Sequence, residues 1–339
     1  MANEVLTLLD IARQKNPDNS IDTKIVEVLN ESNEILWDAP HVQCNNGTQH
    51  VFHQMTDEPS GQWFKFNDGF EDEKFGAKAL ADTCGMLGTY SEIDYEMWKQ
   101  NNLDAGWRFN KEKAFISGLS KTMAAAMIYA DATKTPEKIH GFAPRYSKMS
   151  TSETNIGYNI LSGGGTGTDN TSMWLIGWSP ETVHCLYPQG TQPMYKMEDL
   201  GRVTKEVNGK KREVVRSYHT WYNGICVEDW RFAIRIANID KSDLATAGDA
   251  TDTSCNLLKL MIQAMDRLPE EGMEGVKLCF YARKHVHTAL KMKLLNKNNL
   301  FLSMEDFTTA GNIVRKRLSF MGTPIGRLDQ LLDSESVVA

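Results

Sequence analysis

The sequence predicts an α+β fold built on a long antiparallel sheet, and three observations carry that reading. Between Cys226 and Asn238 the residues alternate, with Cys226, Trp230, Phe232, Ile234 and Ile236 on one side and Asp229, Arg231, Ala233 and Arg235 on the other. A period of two means a strand with one buried and one wet face, and thirteen residues span roughly 40 Å. Upstream, Val207-Asn208-Gly209-Lys210 sets Asn-Gly between two strand-like runs. That pair is a strong hairpin signal because both turn positions need positive φ. Third, Phe115, Leu119, Met123, Met127 and Ala130 recur at near-helical steps, backed by Ala124, Ala125 and Ala126, which predicts a helix over 110–132.

The remaining elements follow in chain order. Apolar spacing near 3.6 predicts short helices at 3–14 and 22–36, separated by the Asn-Pro-Asp-Asn breaker at 16–19. Residues 41–75 alternate strand-like fragments with turn signals at Pro59-Ser60-Gly61 and Asn67-Asp68-Gly69, and 77–93 returns as a second arm. The stretch reads as a long projecting hairpin, which needs a neighbour because lone hairpins are barely stable in water. A short helix from Ser91 to Lys99 takes Ser91 as its N-cap. Asn110 caps the long helix, Pro136 ends it, and 140–146 is coil. Strands are expected at 173–178 and 183–187, and Asn223-Gly224 either repeats the hairpin device or forms a bulge. From Thr251 the pattern changes: helix 255–268, strand 276–281, helix 285–295, then strands 313–320 and 325–328. This C-terminal third is read as a β-with-α layer distinct from the preceding sheet.

With 339 residues, the chain exceeds what one core usually supports, so two domains or long extensions are expected. A net charge of −7 argues against nucleic acid as a direct, tight ligand, since such binding depends on neutralising phosphates. The N-terminus lacks the basic-then-apolar pattern of a signal peptide, and the longest apolar run, 123–130, is too short to span a membrane. The six cysteines are scattered singly and are read as reduced core residues.

Candidate chemistry was weighed against plainer roles. The run Gly163-Gly164-Gly165-Thr166-Gly167-Thr168 has the composition of a phosphate cradle but no following Lys-Ser/Thr pair, and it precedes a strand rather than a helix. It reads as a flexible or strained loop. His41, Cys44, His50 and His53 are zinc-ligand types, yet their spacing matches no standard finger. On a strand, His50 and His53 point to opposite faces, so they read as polar loop histidines. His184-Cys185, and His219 with Cys226, lack a third orienting group for nucleophilic catalysis. Glu71-Asp72-Glu73 reads as a solvated loop, while Trp63, Phe64 and Phe66 are placed to pack on another protein. No catalytic, cofactor-binding or metal-binding residue is assigned, and a non-enzymatic role is expected.

Three segments together carry a resemblance: GGGTGTDNTSMWLIGWSPETVHCLYPQG, GICVEDWRFAIRIANID, and GVKLCFYARKHVHTAL with GTPIGRLDQLL. In order and combined length the chain resembles major capsid proteins of short-tailed double-stranded DNA phages, with the Hong Kong 97-like capsid fold. The resemblance implies an N-terminal arm (1–40), an extended loop (41–90), a peripheral domain (91–245) with spine helix 110–132 and sheet 173–240, and an axial α/β domain (246–339). Better-known members place the axial unit before the final peripheral strands; here the strands come first, which implies a subgroup with rearranged connectivity.

The same resemblance implies hexamers and pentamers closing into an icosahedral shell, with portal, scaffolding and cement proteins as the partners it would bring. Packaged double-stranded DNA would be met non-specifically, and no membrane is involved. The protein would reside in the virion after synthesis in the bacterial cytoplasm. Some relatives cross-link Lys to Asn; Lys65 and Lys74 sit in the loop, but no partner is identifiable and no cross-link is expected. Two other readings are an encapsulin-like cage, which shares the fold, and a metal enzyme built on His41, Cys44, His50 and His53.

Overall fold

The computed structural model describes residues 33–57, 60–67, 69, 72–73, 75–246, 256–294, 302–309 and 313–339. The helix expected at 3–14 and most of that at 22–36 lie outside them. In chain order the elements are α1 (Ile35–Asp38), β1 (His41–Gln43), β2 (Gln49–Asp57), β3 (Gly76–Thr83), β4 (Gly85–Asp94), α2 (Tyr95–Gln100), α3 (Ala105–Tyr129) and α4 (Phe142–Arg145). There follow β5 (Ile160–Ser162), β6 (Asn170–Trp178), β7 (Val183–Tyr187), β8 (Met194–Val207), β9 (Lys210–Val227), β10 (Ala233–Asp240) and α5 (Lys241–Thr246). The chain closes with α6 (Leu257–Asp266), β11 (Lys277–Ala282), α7 (Lys284–Leu294), β12 (Leu302–Thr309), β13 (Ile313–Phe320) and β14 (Thr323–Arg327).

These elements cluster into two compact units: residues 86–122 with 194–221, and residues 33–85, 123–193 and 222–339. In the first, β8 and β9 form the hairpin that Asn208-Gly209 predicted, with φ of 54° and 73° at the turn. Positive φ at both central residues matches the right-handed twist of the strands they join. Arg108 ties the front of α3 to this hairpin: it donates to both Asp199 oxygens at 2.8 Å and to Ser217 Oγ at 2.7 Å. Glu112 completes the group, accepting from Ser217 at 2.6 Å. Arg216 and Lys205 converge on Glu92, whose carboxyl, despite some desolvation, is held below its usual range by those two cations.

The second unit is organised on β6, in which every side chain is buried. β10 and β11 both pair with it antiparallel, β14 and then β13 and β12 extend beyond β11, and β5 lies parallel to β10. Here the sequence reading is corrected. The C-terminal third is not a layer apart, because Lys277↔Trp178 through Tyr281↔Trp174 joins it to the sheet at β6. α6 presents Leu257, Met261 and Ala264 to the core, and α7 presents Val286, Ala289 and Leu290.

The single strand expected at 226–238 is also corrected. β9 ends at Val227, a 3-10 turn occupies Trp230–Phe232, and β10 begins at Ala233. Asp229 accepts from Arg231 N, and the Asn159 side-chain amide donates to the carbonyls of Trp230, Arg231 and Ala233, so the break is held by side-chain hydrogen bonds. Nor has β10 a wet face: Arg235 is only 5% exposed and paired with Glu335.

Smaller corrections concern helix starts. α3 begins at Ala105, five residues before the expected Asn110 cap, because the Asp104 carboxylate accepts from Gly106 and Trp107 N–H groups. Residues 91–94 stay in β4, and Asp94 rather than Ser91 caps α2. The segment 140–146, expected as coil, holds the short α4. Among the described residues no helix is long and apolar enough to cross a membrane.

Candidate functional site: a projecting hairpin and its root

β2 and β3 pair with each other from Gln49↔Thr83 to Asp57↔Gly76 and form a two-stranded sheet of their own. The alternation decides which face is wet. Phe52 is buried and His50 and Gln54 half-buried, while His53 and Met55 are exposed. His50 and His53 therefore lie on opposite faces, as the three-residue spacing required. Beyond the strands the tip carries aromatic side chains into solvent: Trp63 and Phe66 are 104% and 100% exposed, and Phe75 is 71%.

At the root, Phe52 packs with Cys44, Leu186 and Cys226, with Leu80 and Cys84 against them. Gln54 donates to the Glu228 carbonyl at 2.8 Å, and His50 Nε2 meets Glu228 Oε1 at 3.1 Å. Arg145 grips both Asp82 oxygens, at 2.6 and 3.2 Å, and donates to the carbonyls of His140 and Ile225. Gly224 lies inside β9 where β3 ends; a Cβ there would sit 3.0 Å from the Thr83 carbonyl. The Asn223-Gly224 pair thus serves close approach of two backbones, not a second turn.

Of the four candidate metal ligands, only His50 joins a cluster. His41 sits in β1 beside Cys185, Cys44 Sγ lies 3.3 Å from Cys84 Sγ, and His53 faces solvent. Instead His50, His184, Cys226 and Glu228 each offer a donor atom, all within 4.8 Å of one another. The register explains it: His184 on β7 is the direct cross-strand partner of Cys226 on β9, and Glu228 follows two residues later. Burial, with a smaller push from His50, depresses the His184 pKa to about 4. Burial also pushes the Cys226 thiol up, and the carboxylates of Asp82 and Glu228 add to it. Proximity along the chain offers only the pairs His184-Cys185 and His219 with Cys226, neither with an orienting group. Cys185 in fact faces Asn223, and the His219 ring contacts the Tyr195 hydroxyl at 2.6 Å and stacks on Phe115.

The glycine run is pinned rather than open. Gly163 and Gly165 donate their N–H groups to the carbonyls of Ala237 and Asn238 at 2.7 and 2.8 Å, which removes them as phosphate donors. Lys65, Asp72 and Glu73 are exposed, while Glu71 and Lys74 lie outside the described residues.

With the geometry in hand, comparison with known proteins is informative. A family model described as major capsid protein GP7 matches residues 16–339. A chain in the cryo-EM structure of bacteriophage Epsilon15 is similar over 100% of this chain and 98% of that one, at 26% identity and a TM-score of 0.73. The bacteriophage JBD30 capsid covers 96% of this chain and 99% of its own, at 9% identity and a TM-score of 0.50, a likeness of fold alone. No curated protein matches the chain in sequence.

Proposed function

Since the chain belongs to the major capsid protein GP7 family, we propose that its projecting hairpin is the arm by which each subunit holds a neighbouring copy in the phage head. The protein is a major capsid protein with the Hong Kong 97-like fold, a subunit of an icosahedral shell made of homo-oligomeric capsomers. The observation that carries the arm is the full exposure of Trp63 and Phe66 at the tip of a ribbon that, among the described residues, pairs with itself alone. A shell buries area through many such contacts, each of ordinary interface size.

On this reading 41–90 is the extended loop and α3 the spine helix of a peripheral region spanning 91–245. Residues 246–339 form the axial region, and the pairing of β11 with β6 then runs the boundary between the two regions through one sheet. The acidic balance lets packaged double-stranded DNA slide past the wall without adhering. Portal, scaffolding and cement proteins are the partners such a shell uses, and assembly takes place in the host cytoplasm. No catalytic role is assigned. A protein cage of the encapsulin kind shares the fold, but the family match sets the chain with phage heads.

Electron microscopy of the purified protein tests the reading. Closed shells or capsomer rings are expected. A monomer at every concentration, with amides of 41–90 protected from exchange against its own body, overturns it.

A further inference from the structure

We propose that His50, His184, Cys226 and Glu228 form a zinc-type metal site that fastens the root of the projecting hairpin to β7 and β9. The binding does not rest on the assembly reading, and its test uses no assembly readout. The donor set carries the first part of the argument. Two imidazoles, one thiol and one carboxylate are ligands that zinc takes in four-coordinate structural sites. They come from three strands distant in sequence and are brought within 4.8 Å of one another. Tetrahedral bonds of about 2.0–2.3 Å set donors roughly 3.3–3.8 Å apart, so closure asks for an inward movement of about an ångström.

The second part is His184 itself. It is 0% exposed, and neither ring nitrogen makes a well-formed hydrogen bond; the Ser179 backbone interacts with it only weakly. A neutral imidazole carries one donor and one acceptor, and leaving both unmet in a core is costly, which is why buried polar groups are almost always satisfied. Its ring lies edge-on to His50 at 5.5 Å, and His50 Nδ1 is likewise buried and unpartnered. One cation would give a partner to one nitrogen of each ring.

Binding is chemically balanced. The cation takes one nitrogen from each neutral imidazole, a Glu228 oxygen released from its bond to His50, and the Cys226 sulfur, whose proton leaves to solvent. Cys226 is fully buried and His50 and Glu228 are only 12% and 27% exposed at the side chain. Four protein donors in so closed a setting leave no open position for substrate, so the site is structural.

Cobalt(II), titrated into metal-free full-length protein, reads each ligand. One equivalent per chain is expected to give the visible bands of tetrahedral cobalt and a near-ultraviolet sulfur-to-cobalt charge-transfer band; zinc should displace it. C226S should lose the charge-transfer band. H50Q and E228Q, each first shown to keep the wild-type circular dichroism and melting transition, should weaken cobalt binding roughly tenfold or more, since even loss of a supporting group costs that much. H53Q, on the opposite face of β2, should bind as wild type. No charge-transfer band in the wild type, a band that survives C226S, or H50Q and E228Q binding as wild type overturns the site.

Discussion

Arg235 and Glu335, 100 positions apart, meet as a buried ion pair at 2.8 Å, each side chain about 5% exposed. Arg235 also donates to the Tyr146 carbonyl and to Ser172, and Glu335 accepts from the hydroxyls of Ser172 and Tyr129. The pair clasps the C-terminal tail to β10, and E335Q leaves the guanidinium buried without its counter-charge. We expect a loss of about 3–5 kcal/mol in urea unfolding. The double variant R235M/E335L should be less destabilised than either single change, because both charges then go together.

A second pair sets an acid limit. Desolvation alone would raise the Asp38 pKa, but Arg317 at 3.0 Å and Lys277 at 2.8 Å outweigh it and hold the carboxyl below 3.8. A depressed folded pKa gives stability that is complete above the unfolded value and lost as pH falls through the folded one. Unfolding free energy should therefore drop below about pH 4. Glu34, raised by burial and sharing Arg317, acts with the opposite sign, so D38N isolates the Asp38 part. Its stability curve should be lower at neutral pH and flatter in acid.

Backbone approach sets a third expectation. A Cβ at Gly163 would lie 2.7 Å from the Asn238 carbonyl, and one at Gly165 would lie 2.4 Å from Asn170 Oδ1. G163A and G165A should each cost roughly 1–3 kcal/mol, as overpacking does, and lower the melting temperature. G190A makes a useful contrast, since its Cβ meets nothing within 4 Å and only the positive φ of 77° opposes it.

The hairpin tip separates folding from assembly. W63S/F66S should leave the unfolding free energy within about 0.5 kcal/mol, because both side chains are already in water. Shell yield in sedimentation should fall sharply. Equal yields would remove the aromatic tip from the subunit contact.

Intact shells boiled in detergent should run as monomer bands, since no Asn partner for Lys65 is identifiable. A ladder of higher bands would establish a cross-link.

Local chemistry was legible in the sequence and long-range register was not. Asn208-Gly209 fixed its turn, and β7 and β13 fall at 183–187 and 313–320 as expected. The strand at 226–238 misled because Cys226 to Ile236 keep one parity across a 3-10 turn, whose support comes from Asn159, some seventy residues away. Arg235 looked solvent-facing because its partner stands a hundred positions off. The His184–Cys226 pairing is likewise a property of how β7 lies on β9, and no spacing rule could expose it.

Among the described residues, the ribbon of β2 and β3 shares no ladder with the larger sheet, and the bonds that tilting it would break lie at its foot, where His50, Gln54 and Asp82 are held. On the proposed arm reading, one sequence would meet neighbours at differing inclinations, as five-fold and six-fold surroundings demand, by re-aiming a lever rather than remodelling the body.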